Sequence, residues 1–361
     1  MGKSSHIYLY NYMTGAVQIR TKKAFTALVC AMAAYVAATA LIFPLRTSAS
    51  VGAALILSIK KVIPPLFAFS AAYRIIYPAL LKLFSKTPRL CRLFGVDAGG
   101  MCMIFSGLFS GFPMGAVLFG ELYRSGQITE EEGSSLMPYV NCAGASFLIG
   151  SVGAQMTKNI GAGVLLFVCQ SAAAVIFLLK SKRERRGALS HNTPAPAPIT
   201  PSHVARAISQ SGASMLGIAS FIVFFSVVGD SLCADLFIDG GLAAAVRCAL
   251  EISSGASALS ECGRAYLGFC VGFSGLSVYM QCDLASGGVA MGRYLSGKLY
   301  MCGACGASFF WLYSLIYGVD NGKIVVAAAL SIAAICGGFA IKKRNKREKF
   351  KNLKKTVEKS F

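Results

Sequence analysis

The sequence predicts an all-α polytopic membrane protein, with about seven to nine hydrophobic segments in two related halves. Three observations carry that reading. The chain is 55% hydrophobic and only 14% charged over 361 residues, with a mean hydropathy of +0.61, whereas a soluble domain carries about 25% charged residues. Its apolar runs, among them Ala24–Phe43, Ala207–Gly229 and Ile324–Ile341, approach or exceed the roughly 18 residues that cross a hydrocarbon core. Its cations gather beside those runs instead of spreading over a soluble surface. A soluble globular enzyme is excluded.

The 35 Lys+Arg against 15 Asp+Glu give +20, a balance that would suggest nucleic acid in a soluble chain. Position decides otherwise. Lys342–Phe361 holds ten Lys/Arg against two Glu, and Lys180–Arg186 five against one. Both directly follow apolar segments, where the positive-inside rule places cytoplasmic flanks. Ala207–Val246 has no Lys or Arg but contains Asp230, Asp235 and Asp239, so that connector reads as external. Membrane lipid is the expected partner, and nucleic acid is not.

Taken in order, residues 1–23 form a basic cytoplasmic flank before an uncleaved first helix, too long for a signal peptide. The run Ser50–Ile76 is interrupted by Lys60-Lys61 and Pro64-Pro65, and basic residues Arg74 to Arg92 follow it on the cytoplasmic side. Gly99–Gly120 is punctuated by Gly107, Gly111, Pro113 and Gly115. If it and the next two runs, Ser134–Met156 and Gly161–Leu179, all crossed, Lys180–Arg186 would face outward. A re-entrant hairpin at Gly99–Gly120 removes the conflict. Thr129-x-x-Glu132 has the spacing of a capping box. Residues 187–203, with Thr193-Pro-Ala-Pro-Ala-Pro198, form a stiff linker. They separate a first membrane half, 1–186 with its repeat at about 50–180, from a second, 204–341, before the basic tail 342–361. Both termini are expected in the cytoplasm. An inverted repeat needs an additional crossing to allow this, with Gly240–Leu259 as one candidate.

The halves share landmarks. Phe109-Ser-Gly-Phe112 recurs as Phe273-Ser-Gly-Leu276, and Gly144-Ala-Ser-Phe147 as Gly306-Ala-Ser-Phe309, at offsets of 164 and 162 residues. Small residues let helices approach closely. Gly beside Ser or Pro within an apolar run also frees backbone groups that lipid cannot satisfy, and paired breaks of this kind point to a transport site. Exposed N–H groups at half-helix N-termini attract carboxylates. The candidate solute contacts are therefore Ser110, Gly111, Pro113, Asn141, Ser146, Ser274, Gly275, Ser277 and Ser308. Glu121 is a candidate for coupling or for helix-end solvation. Arg247 and Glu251, at i,i+4 spacing, are expected to pair with each other.

With those residues in view, the chain resembles the bacterial sporulation integral membrane protein YlbJ family, related to the nucleoside-recognition or gate-domain group. The resemblance rests on Ser110-Gly-Phe-Pro-Met-Gly115, Glu121-Leu, Gly126-Gln-Ile-Thr-Glu-Glu131, Asn141-Cys-Ala-Gly144, Phe147-x-x-Gly150, Val152-Gly153 and Gly272-Phe-Ser-Gly-Leu-Ser-Val278, over residues of about 50–340. The chain differs at Cys142-Ala143 and Ala145, where family members often carry Asn, Ser and Pro. The resemblance implies a multi-pass protein of a spore former's cytoplasmic or outer forespore membrane, moving a small organic solute such as dipicolinic acid. Related gate-domain proteins suggest nucleosides, and a non-transporting assembly factor is the reading from another class.

The remaining motifs are weak. Gly292-x4-Gly297-Lys298 imitates a phosphate-binding loop, but Leu299 replaces the required Ser/Thr. Cys302-x-x-Cys305 lacks a second pair for zinc, and the 13 cysteines read as packing residues. His6, His191 and His203 lie in polar flanks, which excludes a histidine relay within the membrane. No enzymatic activity, cofactor or metal is expected, and self-association is left open.

Overall fold

Inside lipid no water receives backbone N–H and C=O groups, so a spanning chain must satisfy them internally as helix or closed barrel. Every regular element in the described residues of the computed structural model is helical. The structure describes residues 26–27, 29–185, 198–289, 291–318 and 321–359. The basic flank at 1–23, His6, His191 and most of the Pro-rich linker (187–197) lie outside them, as do the side chains of the tail beyond 345.

Two units are distinguished, Met1–Ala49 with Phe339–Phe361, and Ser50–Gly338. In the first, helix α1 (Val29–Ile42) is apolar and largely exposed. The second begins within α2 (Pro44–Leu57), which continues through a π turn, Ser58–Val62, into α3 (Ile63–Ser85). The expected interruption at Lys60-Lys61 and Pro64-Pro65 is therefore a local change of helical pitch, and the segment Pro44–Ser85 stays helical over 42 residues. Short α4 (Pro88–Phe94) then makes a 70° corner with α5 (Ala98–Phe109).

Helix α5 ends at Ser110, and α6 (Met114–Arg124) returns along it. A Cβ on Gly99, at the start of α5, would stand 2.9 Å from Leu122, near the end of α6. Gly99–Gly120 is thus a hairpin with both ends on one side. Next come α7 (Glu130–Val140), a break at Asn141–Ala145, a π-helical segment Ser146–Met156, and α8 (Ile160–Lys180). Thr129 and Glu132 form the capping box at the start of α7. Arg185, just after α8, donates to Ser135 at 3.3 Å, while a Cβ on Gly163 would meet Leu148 O at 2.5 Å. The two broken pieces therefore run antiparallel along the whole of α8 as one crossing.

The second half repeats this order. Helix α9 (Pro201–Asp235) lies antiparallel to α2–α3, with Ser50 bonded to Asp230 at 2.6 Å and Ser70 to Ser211 at 3.2 Å. Helices α10 (Gly240–Leu250) and α11 (Ile252–Cys262) follow. Arg247 meets Asp230 at 2.9 Å, which sets the α10 tip level with about Val227, only part-way along α9. Gly240–Leu259 thus forms a second hairpin and supplies no crossing. Helices α12 (Leu267–Phe273) and α13 (Gly275–Ser286), broken at Ser274, run antiparallel to α14 (Tyr294–Tyr317). A Cβ on Gly268 would stand 2.7 Å from Phe309, and one on Gly272 2.5 Å from Met301 O. Finally α15 (Asn321–Lys359) contains the apolar stretch Lys323–Asn345.

Helices α8 and α14 are themselves antiparallel, since Tyr317 donates to Asn159 at 3.3 Å while Phe177 and Tyr300 stack at 5.8 Å. The two halves are accordingly inverted, and the hairpins enter from opposite sides. The mouth of the first hairpin shares its side with Lys82, Lys86, Arg89, Arg92 and Lys180–Arg183, whereas Asp235, at the end of α9, lies at the mouth of the second. By the positive-inside rule the first side is the one expected to face the cytoplasm. Helix α14 ends on the side opposite the first hairpin's mouth, and the apolar stretch of α15 follows it.

The shared sequence landmarks do not occupy equivalent elements. Phe109–Phe112 is a hairpin tip, but Phe273–Leu276 is a helix break. Gly144–Phe147 spans a break, but Gly306–Phe309 is interior to the continuous α14. The repeat resides in the order of elements, and those matches are displaced by one element.

Cys262, exposed at the end of the second hairpin, is expected to react with a membrane-impermeant maleimide from outside, and a cysteine replacing Gly126 only after permeabilisation. Labelling of intact cells against permeabilised ones checks both.

Candidate functional site

Breaking a helix at bilayer depth strands N–H and C=O groups that must find partners. The fold meets this requirement by packing each hairpin tip on a helix break. At the first tip, Phe112 N donates to Cys142 O at 2.9 Å. A Cβ on Gly144 would stand 2.5 Å from Ser110 O, and Gly111 (φ +83°) takes a left-handed turn that a side chain would strain. At the second, a Cβ on Gly275 (φ +82°) would stand 3.1 Å from Leu250 O. Ser274 adopts φ +72°, at a cost of about 1 kcal/mol for a non-glycine residue, and its hydroxyl donates to Val271 O at 3.0 Å.

Lys298 joins the two assemblies. It is 1% exposed and sits on the second turn of α14. Its ammonium donates to Asn141 O at the first break and to Ser274 Oγ, at 3.1 Å, at the second. The Tyr294 ring centroid lies 5.5 Å away. No carboxylate of the described residues pairs with it. Two hairpin tips and two helix breaks therefore converge on one unpaired cation in the middle of the protein.

Four helix N-termini open onto this centre, and two of them are capped by side chains. Asn141, fully buried, accepts from Ala116 N at 2.9 Å and donates to Met137 O at 2.9 Å, capping α6 while closing the end of α7. Glu251 accepts from Ser254 N at 2.7 Å, capping α11. It does not pair with Arg247, contrary to expectation. Helix α10 stops at Leu250, and Glu251 is extended (φ −148°, ψ 125°) with its carboxylate turned onto Ser254 N, so Arg247 binds Asp230 instead. No side chain caps the π segment beginning at Ser146 or α13 beginning at Gly275. The Ser146 hydroxyl and Gln281 Oε1 are buried without a partner among the described residues, and Gln281 donates to Ser277 at 3.0 Å.

The structure thus places Ser110, Gly111, Pro113, Asn141, Ser274 and Gly275 at the tips and breaks, with Ser146 and Ser277 beside them. Two candidates lie elsewhere. Ser308 is ten residues beyond Lys298, about 15 Å along α14, and its hydroxyl bonds within its own helix. Glu121 is exposed near the mouth of the first hairpin. Asn141 has both ends of its amide committed to the backbone. Sequence reasoning missed Lys298, weighing it only within a failed phosphate-loop match. The available signal was a lysine seven residues into the apolar span Met291–Tyr317, because cations at that depth are costly unless used.

The centre is closed, with Asn141, Ser146, Ser274, Ser277 and Lys298 all buried. Beside it, Leu66 and Ser70 of α3, Ser110, Pro113 and Met114 of the first tip, and Ser214 and Met215 of α9 line a cavity of about 10 Å³, room for about one water. Chemically, a buried ammonium, two uncapped helix N-termini and spare hydroxyls favour negative charge.

No protein-family model, curated protein or solved structure matches the chain.

Replacing Asn141 by Ala leaves Ala116 N–H and Met137 O unpaired and is expected to destabilise the protein by about 2–4 kcal/mol. Ser308→Ala, whose hydroxyl only doubles a helical bond, is expected to cost less than about 0.5 kcal/mol. Thermal unfolding of the purified variants in detergent compares them.

Proposed function

We propose that the protein is a secondary carrier of a small organic anion, gripped between the hairpin tips and helix breaks and released to either side as one hairpin or the other withdraws. The observation that carries this reading is the inverted pair of hairpins and broken helices meeting at the unpaired Lys298 ammonium. Inverted halves with half-helix ends near the midplane suit alternating access. A purely structural protein has no evident need for an unpaired cation there, since burying one costs several kcal/mol.

The solute class follows from the same residues. Uncapped N-termini at Ser146 and Gly275 favour carboxylates, and the hydroxyls of Ser146 and Ser277 add polar contacts. A compact dicarboxylate, with one group toward each N-terminus, fits this pattern. The resemblance to the sporulation family suggests dipicolinate as the first solute to test and the developing spore as the setting. A gradient, or consumption of solute on the receiving side, supplies the driving force.

Purified protein in liposomes is expected to take up labelled dipicolinate saturably, and Lys298→Met to reduce uptake at least tenfold, as loss of a charged hydrogen-bonding partner implies. Ser308→Ala should transport normally. Preference for a nucleoside would replace the substrate class. Absence of any solute movement by folded protein would overturn the carrier reading in favour of an assembly role.

A further inference from the structure

We infer that the Lys298 ammonium is a built-in monovalent cation, held where a carrier of this design would otherwise bind a free coupling ion. Its two oxygen partners mark equivalent features in opposite halves. Asn141 is the C-cap of α7 and Ser274 the C-cap of α12, so each oxygen sits at the negative end of a half-helix. Unwound carbonyls and half-helix C-terminal ends are the groups that coordinate sodium in carriers with broken helices. Here both are occupied by one Nζ, and the Tyr294 ring, 5.5 Å away, offers a third favourable face.

The arrangement separates the charges of the site by helix polarity. The C-terminal ends of α7 and α12 face the fixed ammonium, and the uncapped N-termini of the π segment and α13 remain for the solute. Because α14 carries the cation covalently, it stays with the protein when solute leaves. The inference rests on the carrier reading in one respect, that transport through this centre needs no sodium or potassium. The cation site itself is a property of the resting protein and is tested apart from transport.

Two measurements decide it. In the first, wild-type protein and the variants Lys298→Ala and Lys298→Met are unfolded thermally in choline, sodium or ethylammonium chloride. Lys298→Ala, which empties the site, is expected to gain roughly 2–4 °C in sodium or ethylammonium over choline. Wild type and Lys298→Met, whose side chain fills the space, should show no such difference. Equal behaviour of Lys298→Ala in all three salts, at any stability at which it folds, would overturn the inference. The second measurement needs no variant. Wild-type uptake of dipicolinate into liposomes should proceed undiminished with choline as the only monovalent cation, and a loss of tenfold or more there would also overturn it. If no solute moves under any salt but Lys298→Ala recovers with sodium, the carrier reading fails and the cation site stands.

Discussion

Stranded peptide groups at bilayer depth need partners, and the organisation of this protein follows from how two hairpin tips and two helix breaks find most of theirs. Each leans on a neighbouring segment, and the second tip also closes locally, with Glu251 N donating to Arg247 O and Ser254 N to the Glu251 carboxylate. The first tip relies on Cys142 O, α6 on the Asn141 amide, the second break on Leu250 and Glu251 packed against Gly275, and the two assemblies on Lys298. Interdependence of this kind makes the centre a single cooperative unit in the closed state. The close approaches at Gly107, Gly144 and Gly272 leave no space for a Cβ against neighbouring backbone, which explains why small residues concentrate there.

The inverted halves solve the same problem with different chemistry. In the first, Gln170 on α8 reaches back to its own broken helix, accepting from Ala143 N at 3.1 Å and donating to Ala143 O at 2.7 Å. In the second, Lys298 on α14 reaches back to Ser274 and onward to Asn141. An amide satisfies a donor and an acceptor and brings no charge. An ammonium satisfies only acceptors and brings a charge. Likewise an amide caps α6 and a carboxylate caps α11. The backbone architecture is shared, and the electrostatics are not.

Sequence made the fold class legible because apolar run length and cation placement obey bilayer physics directly. Lys180–Arg186 facing the cytoplasm requires Gly99–Gly120 to turn back, and it does. The second hairpin was harder to see, since Gly240–Leu259 is only weakly apolar and packs on α9 through Arg247 and Asp230, a contact across 17 residues that no local pattern reveals. Breaks at Ser110 and Ser274 were visible as Gly beside Ser or Pro, yet their structural roles differ, because four-residue identities between Gly-rich segments report packing demand and not element equivalence. Ser308 was carried into the site by such an identity. Lys298 was overlooked because its partners, Asn141 O and Ser274 Oγ, lie 157 and 24 residues away and one of them is a backbone carbonyl.

The asymmetry between Gln170 and Lys298 bears on how such a centre can move. Withdrawing the first tip breaks the bonds of Phe112 N to Cys142 O and of Ala116 N to Asn141 Oδ1 but leaves those of Lys298 intact, because these join the breaks and not the tips. Withdrawing the second tip separates Leu250 and Glu251 from Gly275 and again spares them. The charge that holds the two broken helices together thus need not be exposed alone to lipid in either movement. Only separation of the broken helices themselves would unpair it, at a cost of several kcal/mol. Under the carrier reading proposed above, this bonding pattern favours a fixed pair of broken helices with two mobile lids, one per side, over rocking of one half against the other.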